Sequence, residues 1–135
     1  MKSNFLVDKK SFYSKSFFCY IKANGEVIVP DEEETYNPDE KDEKFEVQFK
    51  FRALNHVETT NIYSQSIALE GESVRVDVAV FNDLRLRATI REWNLTDDEG
   101  EILPINNRSV DNLNPIITTN MINIINETLG LGMGA

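Results

Sequence analysis

Apolar and polar residues alternate most cleanly over residues 45–52, where Phe45, Val47, Phe49 and Phe51 interleave with Glu46, Gln48, Lys50 and Arg52. A period of two is that of a strand with one buried face, so this segment is expected to be a strand of the core sheet. Upstream, Phe17, Cys19, Ile21 and Ala23 alternate with Phe18, Tyr20 and Lys22 before Asn24-Gly25. That pair suits the positive φ values of a type I′ turn, which predicts a hairpin over residues 17–29 with Val27, Ile28 and Val29 as the return strand. Pro30 then removes a ladder donor and ends it.

Downstream the period changes. Asn55 stands three residues before Glu58, an N-cap and capping-box spacing that opens a short helix from His56 to about Ser66, burying Val57, Ile62 and Tyr63. Residues 74–93 support two patterns. Val74, Val76, Val78 and Val80, then Leu84, Leu86, Ala88 and Ile90, alternate with polar or small residues, and this periodicity favours two strands turning at Asn82-Asp83. A helix would instead place Leu86, Ile90 and Trp93 on one face and Val80, Phe81, Leu84 and Ala88 on another, wedged between two apolar surfaces. Asp97-Asp98-Glu99-Gly100 reads as a solvated turn with Gly100 at positive φ, and Pro104 restricts the following chain to an extended exit. Ser109 can cap a single turn over residues 110–113, and Pro115 suits the first position of a last helix, residues 115–129. In that helix Ile117, Met121, Ile122, Ile124, Ile125 and Leu129 form a broad apolar arc opposite Asn120, Asn123 and Glu127. An arc so wide is either deeply packed or a surface for a partner or a second copy. The Gly-rich residues 130–135 end the helix and are expected to be a flexible tail.

These elements define an α+β fold: an N-terminal β-hairpin and strand, with C-terminal helices packed against a small antiparallel sheet. The 135 residues fit a single domain, residues 1–135. Charge alters the picture in one place. Of the formal −9, residues 31–44 hold eight acids against two lysines and almost no apolar residue, the composition of a mobile, solvated loop. The rest is only mildly acidic, and Arg85, Arg87 and Arg91 are its one dense basic cluster, so nucleic acid is an unsuitable partner.

Candidate chemistry is sparse. Cys19 is the single cysteine and His56 the single histidine. No intramolecular disulfide can form, and a lone thiol fits a reducing compartment. Gly-rich phosphate loops, paired His/Cys spacings and nucleophile elbows are missing, and the acidic turn at Asp97 lacks the alternating ligands of a calcium loop. No catalytic residue, cofactor or metal is expected. Phe5-Leu6-Val7 is too short an apolar run for a secretory signal, and no stretch approaches the ~20 apolar residues of a spanning helix, so no membrane association is expected.

The segment from Val76 to Ile105, above all Ile90-Arg91-Glu92-Trp93-Asn94-Leu95-Thr96-Asp97-Asp98-Glu99-Gly100-Glu101-Ile102-Leu103-Pro104-Ile105, resembles the C-terminal part of small tail assembly chaperones of long-tailed bacteriophages. In that family a helix ending in Trp-Asn precedes an acidic Gly-containing turn, a Pro-containing exit and a terminal helix. Asn112-Leu113-Asn114-Pro115 and the isoleucine-rich helix follow the same order, and the strand at 45–52 with its short helix is similar to the family's earlier segment, so residues 43–129 carry the resemblance. The hairpin before Pro30 and the acidic loop depart from it. The resemblance implies a helix over residues 81–93. It also implies a noncatalytic chaperone in the host cytoplasm that holds the tape-measure protein before the tail tube polymerises, with a homo-oligomer as its own assembly. On that reading Ile117, Met121, Ile124 and Ile125 are the candidate partner-binding surface, and Leu86, Trp93, Gly100 and Pro104 are structural anchors. All of these have ordinary core packing as their alternative. The functional alternative is a structural subunit retained in the virion tail or baseplate through permanent symmetric contacts.

Overall fold

The computed structural model describes residues 5–8, 10–31 and 36–130, so the last five residues of the expected tail lie outside the described residues. The chain runs β1 (Tyr13–Ile21), β2 (Val27–Ile28), β3 (Glu43–Phe51), α1 (His56–Gln65), β4 (Ile67–Glu70), β5 (Ser73–Val76), α2 (Val78–Thr89), β6 (Ile90–Trp93), α3 (Asn107–Asn112) and α4 (Pro115–Leu129). It is an α+β fold with a four-stranded antiparallel sheet in the order β2-β1-β3-β6, a separate β4-β5 ribbon and four helices among the described residues. No helix among the described residues is long and apolar enough to cross a membrane.

The alternation in β3 sets the core. Val47, Phe49 and Phe51 point to one face, where they meet Leu86 of α2, Val110 of α3 and Ile117, Met121 and Ile125 of α4. Across the ladder Phe17 pairs with Val47 and Cys19 with Phe45, which carries the buried face onto β1. The β1–β2 hairpin forms, but not through a type I′ turn. Among the described residues none other than glycine has positive φ, and in this turn only Gly25 does, at 88°. The Gly25 amide bonds the Lys22 carbonyl, and Lys22 N–H bonds the Glu26 carbonyl. That pattern is a type I turn closed by a glycine bulge, which needs one left-handed residue rather than two.

On the opposite face of β1, residues 36–42 of the acidic segment fold back onto the sheet. Tyr36 packs on Tyr20 with ring centroids 4.6 Å apart. The Asp42 carboxylate, 3% exposed, accepts from the Tyr36 hydroxyl, the Asp39 amide and Lys22 Nζ. Burial opposes the Lys22 charge, but Asp42 outweighs it and the lysine pKa is raised. Tyr36 and Asp42 thus anchor the ends of an otherwise exposed segment, residues 37–41, within the acidic run; residues 32–35 lie outside the described ones.

Residues 74–93 correct the strand expectation. The strands are Ser73–Val76 and, at the far end, Ile90–Trp93; between them Asp77 caps α2 by accepting from the Val80 amide at 3.2 Å. Phe81, Arg85, Leu86 and Thr89 are the buried positions, a helical spacing that the alternation of leucines and arginines concealed. The helix implied by the resemblance is therefore present, but it stops at Thr89. The Thr89 hydroxyl donates to the Arg85 and Leu86 carbonyls, and Ile90 turns extended at φ −63° and ψ 136°. Trp93 lies on β6, not at a helix end. The register shifts between Lys50 and Phe51, so Phe51 faces Ile90 while Lys50 faces Glu92, leaving Arg91 as an extra residue. This bulge lets Ile90 and Trp93, three residues apart, both point into the core.

Two further boundaries move. α3 is capped by Asn106, whose side chain accepts from the Ser109 amide, so Ser109 lies inside the helix rather than at its cap. In α1 the Asn55–Glu58 capping box forms as expected and Ile62 is buried, but Val57 is 63% exposed. Arg52 pairs with Glu58 and thereby holds the start of α1 to the end of β3.

Candidate functional site

The apolar arc of α4 divides between core and boundary. Ile117, Met121 and Ile125 recur at four-residue spacing and are buried against β3 and α2, while Ile124 is half-buried at the edge of the same cluster. Three of the four residues expected to meet a partner are therefore core residues in the folded chain. The physical reason is register: with Asn114 as N-cap and Pro115 at the first position, the helix points its 117–121–125 stripe at the sheet.

The anchors behave differently from one another. Leu86 and Trp93 are buried in the core, and Trp93 Nε1 donates to the Leu103 carbonyl at 2.8 Å, tying β6 to the exit segment. Gly100 has φ 82° in a turn organised by Asp97, whose Oδ1 accepts from the Glu99 and Glu101 amides. Leu103 N–H bonds the Leu95 carbonyl, and Thr96 and Ile102 form an isolated bridge, so the turn is the tip of a short hairpin-like excursion. Pro104 is exposed beyond it. The Asp97 carboxylate is thus engaged by backbone amides, consistent with a structural turn.

Polar chemistry is dispersed. Among the described residues no group of three or more His, Cys, Asp or Glu side chains is placed to hold a metal ion. His56 is exposed at the first position of α1, and burial raises the pKa of the Cys19 thiol. The three arginines go three ways. Arg87 lies between Asp83 and Asp111 and joins α2 to α3, its pKa raised because those carboxylates outweigh its partial burial. Arg91 is exposed, with its pKa lowered by desolvation and by Arg52. Arg85 is buried, donating to Asn126 and to the Gly130 carbonyl at 2.6 Å while its Nε has no partner. A shallow cleft of about 620 Å³ crosses the open side of β1, β3 and β6. Part of its polar wall is already paired: Lys50 bridges to Glu92 at 3.3 Å, and the Asn94 side-chain amide bonds Gln48 N–H and the Glu46 carbonyl.

Apart from Ile102, 59% exposed, the exposed large apolar side chains among the described residues fall in two stretches of the chain. One is residues 5–13, with Phe5, Leu6, Val7, Phe12 and Tyr13; the other is residues 57–80, with Val57, Ile67, Leu69, Val74, Val78 and Val80. The second includes the β4-β5 ribbon. Cross-strand pairs Ile67–Val76 and Leu69–Val74 put four apolar side chains on one side of the ribbon, while Ala68 and Arg75 pair on the other. Gly71, at φ 63°, is the first of the two turn residues, as a type II′ turn requires. Leu69 is 80% exposed, Val74 62% and Ile67 48%, so this apolar side has little cover. Sequence reasoning assigned Val74 and Val76 to a strand but did not pair them with Ile67 and Leu69. The alternation on both sides of Gly71 was the available signal.

Comparison with protein-family models, with curated proteins and with solved structures finds no match to this chain.

Proposed function

We propose that the chain is a noncatalytic tail assembly chaperone of a long-tailed bacteriophage, acting in the host cytoplasm on apolar helical segments of the tape-measure protein before tail-tube polymerisation. The observation that carries this reading beyond the sequence resemblance is the exposed apolar set at residues 57–80, of which the ribbon is the center. A contiguous exposed apolar face, such as the one Ile67, Leu69, Val74 and Val76 form on the ribbon, marks a protein-binding surface more often than scattered apolar residues do. The partner surface moves accordingly from α4 to the ribbon and its flanks. A client segment would lose its apolar exposure there, and the formal charge of −9 would keep the complex dispersed.

Co-expression tests this reading. The tape-measure protein should be recovered soluble with the wild-type chain and should shift to the pellet with a Leu69→Asp, Val74→Asp double variant, both sites being exposed enough to leave the fold intact. Equal solubility with wild type, variant and empty vector would contradict it.

The second reading, a structural tail or baseplate subunit, draws support from the sheet edge. β2 pairs only with Tyr20 and Ile21, so residues 13–19 of β1 carry no strand on that side among the described residues. An open edge of that length can accept a strand from another subunit. Purified virions separate the two readings: a structural subunit is present at fixed stoichiometry, whereas a chaperone is left in the lysate.

A further inference from the structure

Among the described residues Ile102 is the one exposed large apolar residue outside residues 5–13 and 57–80, and it stands on the acidic turn after β6. It pairs with Thr96 in the isolated bridge and immediately precedes Leu103. The turn holds four carboxylates, Asp97, Asp98, Glu99 and Glu101, and no basic residue. Asp97 is used by the turn itself, whereas the carboxylates of Asp98, Glu99 and Glu101 have no ion-pair partner among the described residues. Next to the turn, between the exit segment and α3, lies a cavity of about 360 Å³. Leu103, Pro104 and Leu113 supply its aliphatic lining, and Arg108 and Asn112 belong to its polar lining. Arg108 is exposed, and its guanidinium likewise has no ion-pair partner among the described residues. Within one chain Ile102 is not part of that lining, because the Leu103 amide is bonded to Leu95 and the Leu103 carbonyl to Trp93 Nε1, which fixes the base of the turn.

We propose that Ile102 of one copy seats in the cavity beside α3 of a second copy, and that the two chains do this reciprocally about a twofold axis. Three physical points select this occupant. The cavity offers aliphatic walls on a scale that accepts a branched aliphatic side chain, and seating one removes apolar area from water on both sides. Charge selects the acidic turn: its unpaired carboxylates arrive with the isoleucine and meet Arg108, whereas on a chain of formal charge −9 most contacts between copies would set acid against acid. Position selects reciprocity. Ile102 and Leu103, the first residue of the cavity lining, are consecutive, so knob and cavity lie in one patch, the arrangement of a self-complementary contact that closes at two copies. The patch is small, so the dimer is a concentration-dependent one. No ribbon residue takes part, and the dimer does not rest on the tail assembly reading.

A charge exchange tests it. Sedimentation equilibrium of the wild type over a concentration series should give a monomer–dimer association with no larger species, weakened by added salt. Ile102→Asp, at an exposed site where the circular dichroism of the fold should be retained, should weaken the dimer at least roughly a hundredfold, because two isoleucines leave the interface together. Arg108→Glu and Glu101→Arg should each be monomeric alone, since like charges then meet at both contacts. Mixed in equal amounts they should associate as a heterodimer, in which one contact is the wild-type pair and the other is the same pair reversed. The proposal is overturned if the wild type is monomeric throughout the series, if Ile102→Asp dimerises as the wild type does, or if the mixture behaves as the sum of its two variants. Client solubility is read on the Leu69→Asp, Val74→Asp variant, whose dimer should be unchanged, so the dimer and the chaperone reading can fail separately.

Discussion

Arg85 buries its guanidinium with one donor unpaired and, among the described residues, no carboxylate paired with it. Desolvation lowers its pKa, which is the mark of a charge held in place at a cost. Its aliphatic stem fills space between α2 and the end of α4, and its plane lies over Phe81 at 5.5 Å. Replacing the charge by an apolar chain of similar length should therefore be tolerated, since buried ionic groups are often matched by well-packed hydrophobic ones. Arg85→Met is expected to change unfolding stability by less than about 1 kcal/mol, whereas Arg85→Ala, which leaves a void, should cost about 2–3 kcal/mol. Urea denaturation followed by circular dichroism measures both; equal losses would show that the charge itself holds the fold. Cys19 gives a prediction in pH. Burial holds its thiol above its ordinary pKa, so the folded state keeps a proton that the unfolded chain releases first. Its contribution is complete below the ordinary thiol range and is lost as pH rises through the raised value. Between neutral pH and about pH 10 the wild type should lose more stability than a Cys19→Ala variant does, a difference read from paired denaturation midpoints.

At the scale of elements, α1 is held by reciprocal bonds between Asn55 and Glu58, with Arg52 engaging the same carboxylate from β3. Asn55→Ala should destabilise the protein by about 1 kcal/mol. Glu58→Gln keeps a capping acceptor but removes the ion pair, so comparison of the two variants separates cap from pair. Elements of this kind were legible because their determinants are local: a cap three residues from its partner, a proline at a first helical position, a strict alternation in β3. α2 was hidden because Arg85 and Thr89, residue types expected outside, are the buried ones and mimic the polar half of a strand. β6 was hidden because a bulge alters which residues face inward, and register is a property of the neighbouring strand rather than of the segment. The burial of Ile117, Met121 and Ile125, three of the residues expected at a partner surface, was hidden for a related reason. An apolar stripe on a helix looks the same whether it meets a sheet or a partner, and only the packing of α4 on β3 decides. The ribbon's pattern was equally plain, but exposure on its apolar side cannot be read from periodicity.

For the whole molecule, core and exposed apolar surface are separate territories. β3, α2 and α4 close one core around Phe49, Phe51, Leu86 and Met121, and the open large apolar residues among the described ones lie in residues 5–13, in residues 57–80 and at Ile102. Met121→Ala should therefore act on stability, costing about 2–5 kcal/mol, while leaving any residual folded fraction able to bind. Changes at Leu69 and Val74 should act on binding with little effect on the unfolding midpoint. The measurement that tests the central claim most directly is light scattering on a size-exclusion column after co-expression with the proposed client, a phage tape-measure protein. The account predicts one co-eluting complex containing both proteins, lost with the Leu69→Asp, Val74→Asp variant. Two separate peaks from soluble, folded wild-type proteins would contradict it.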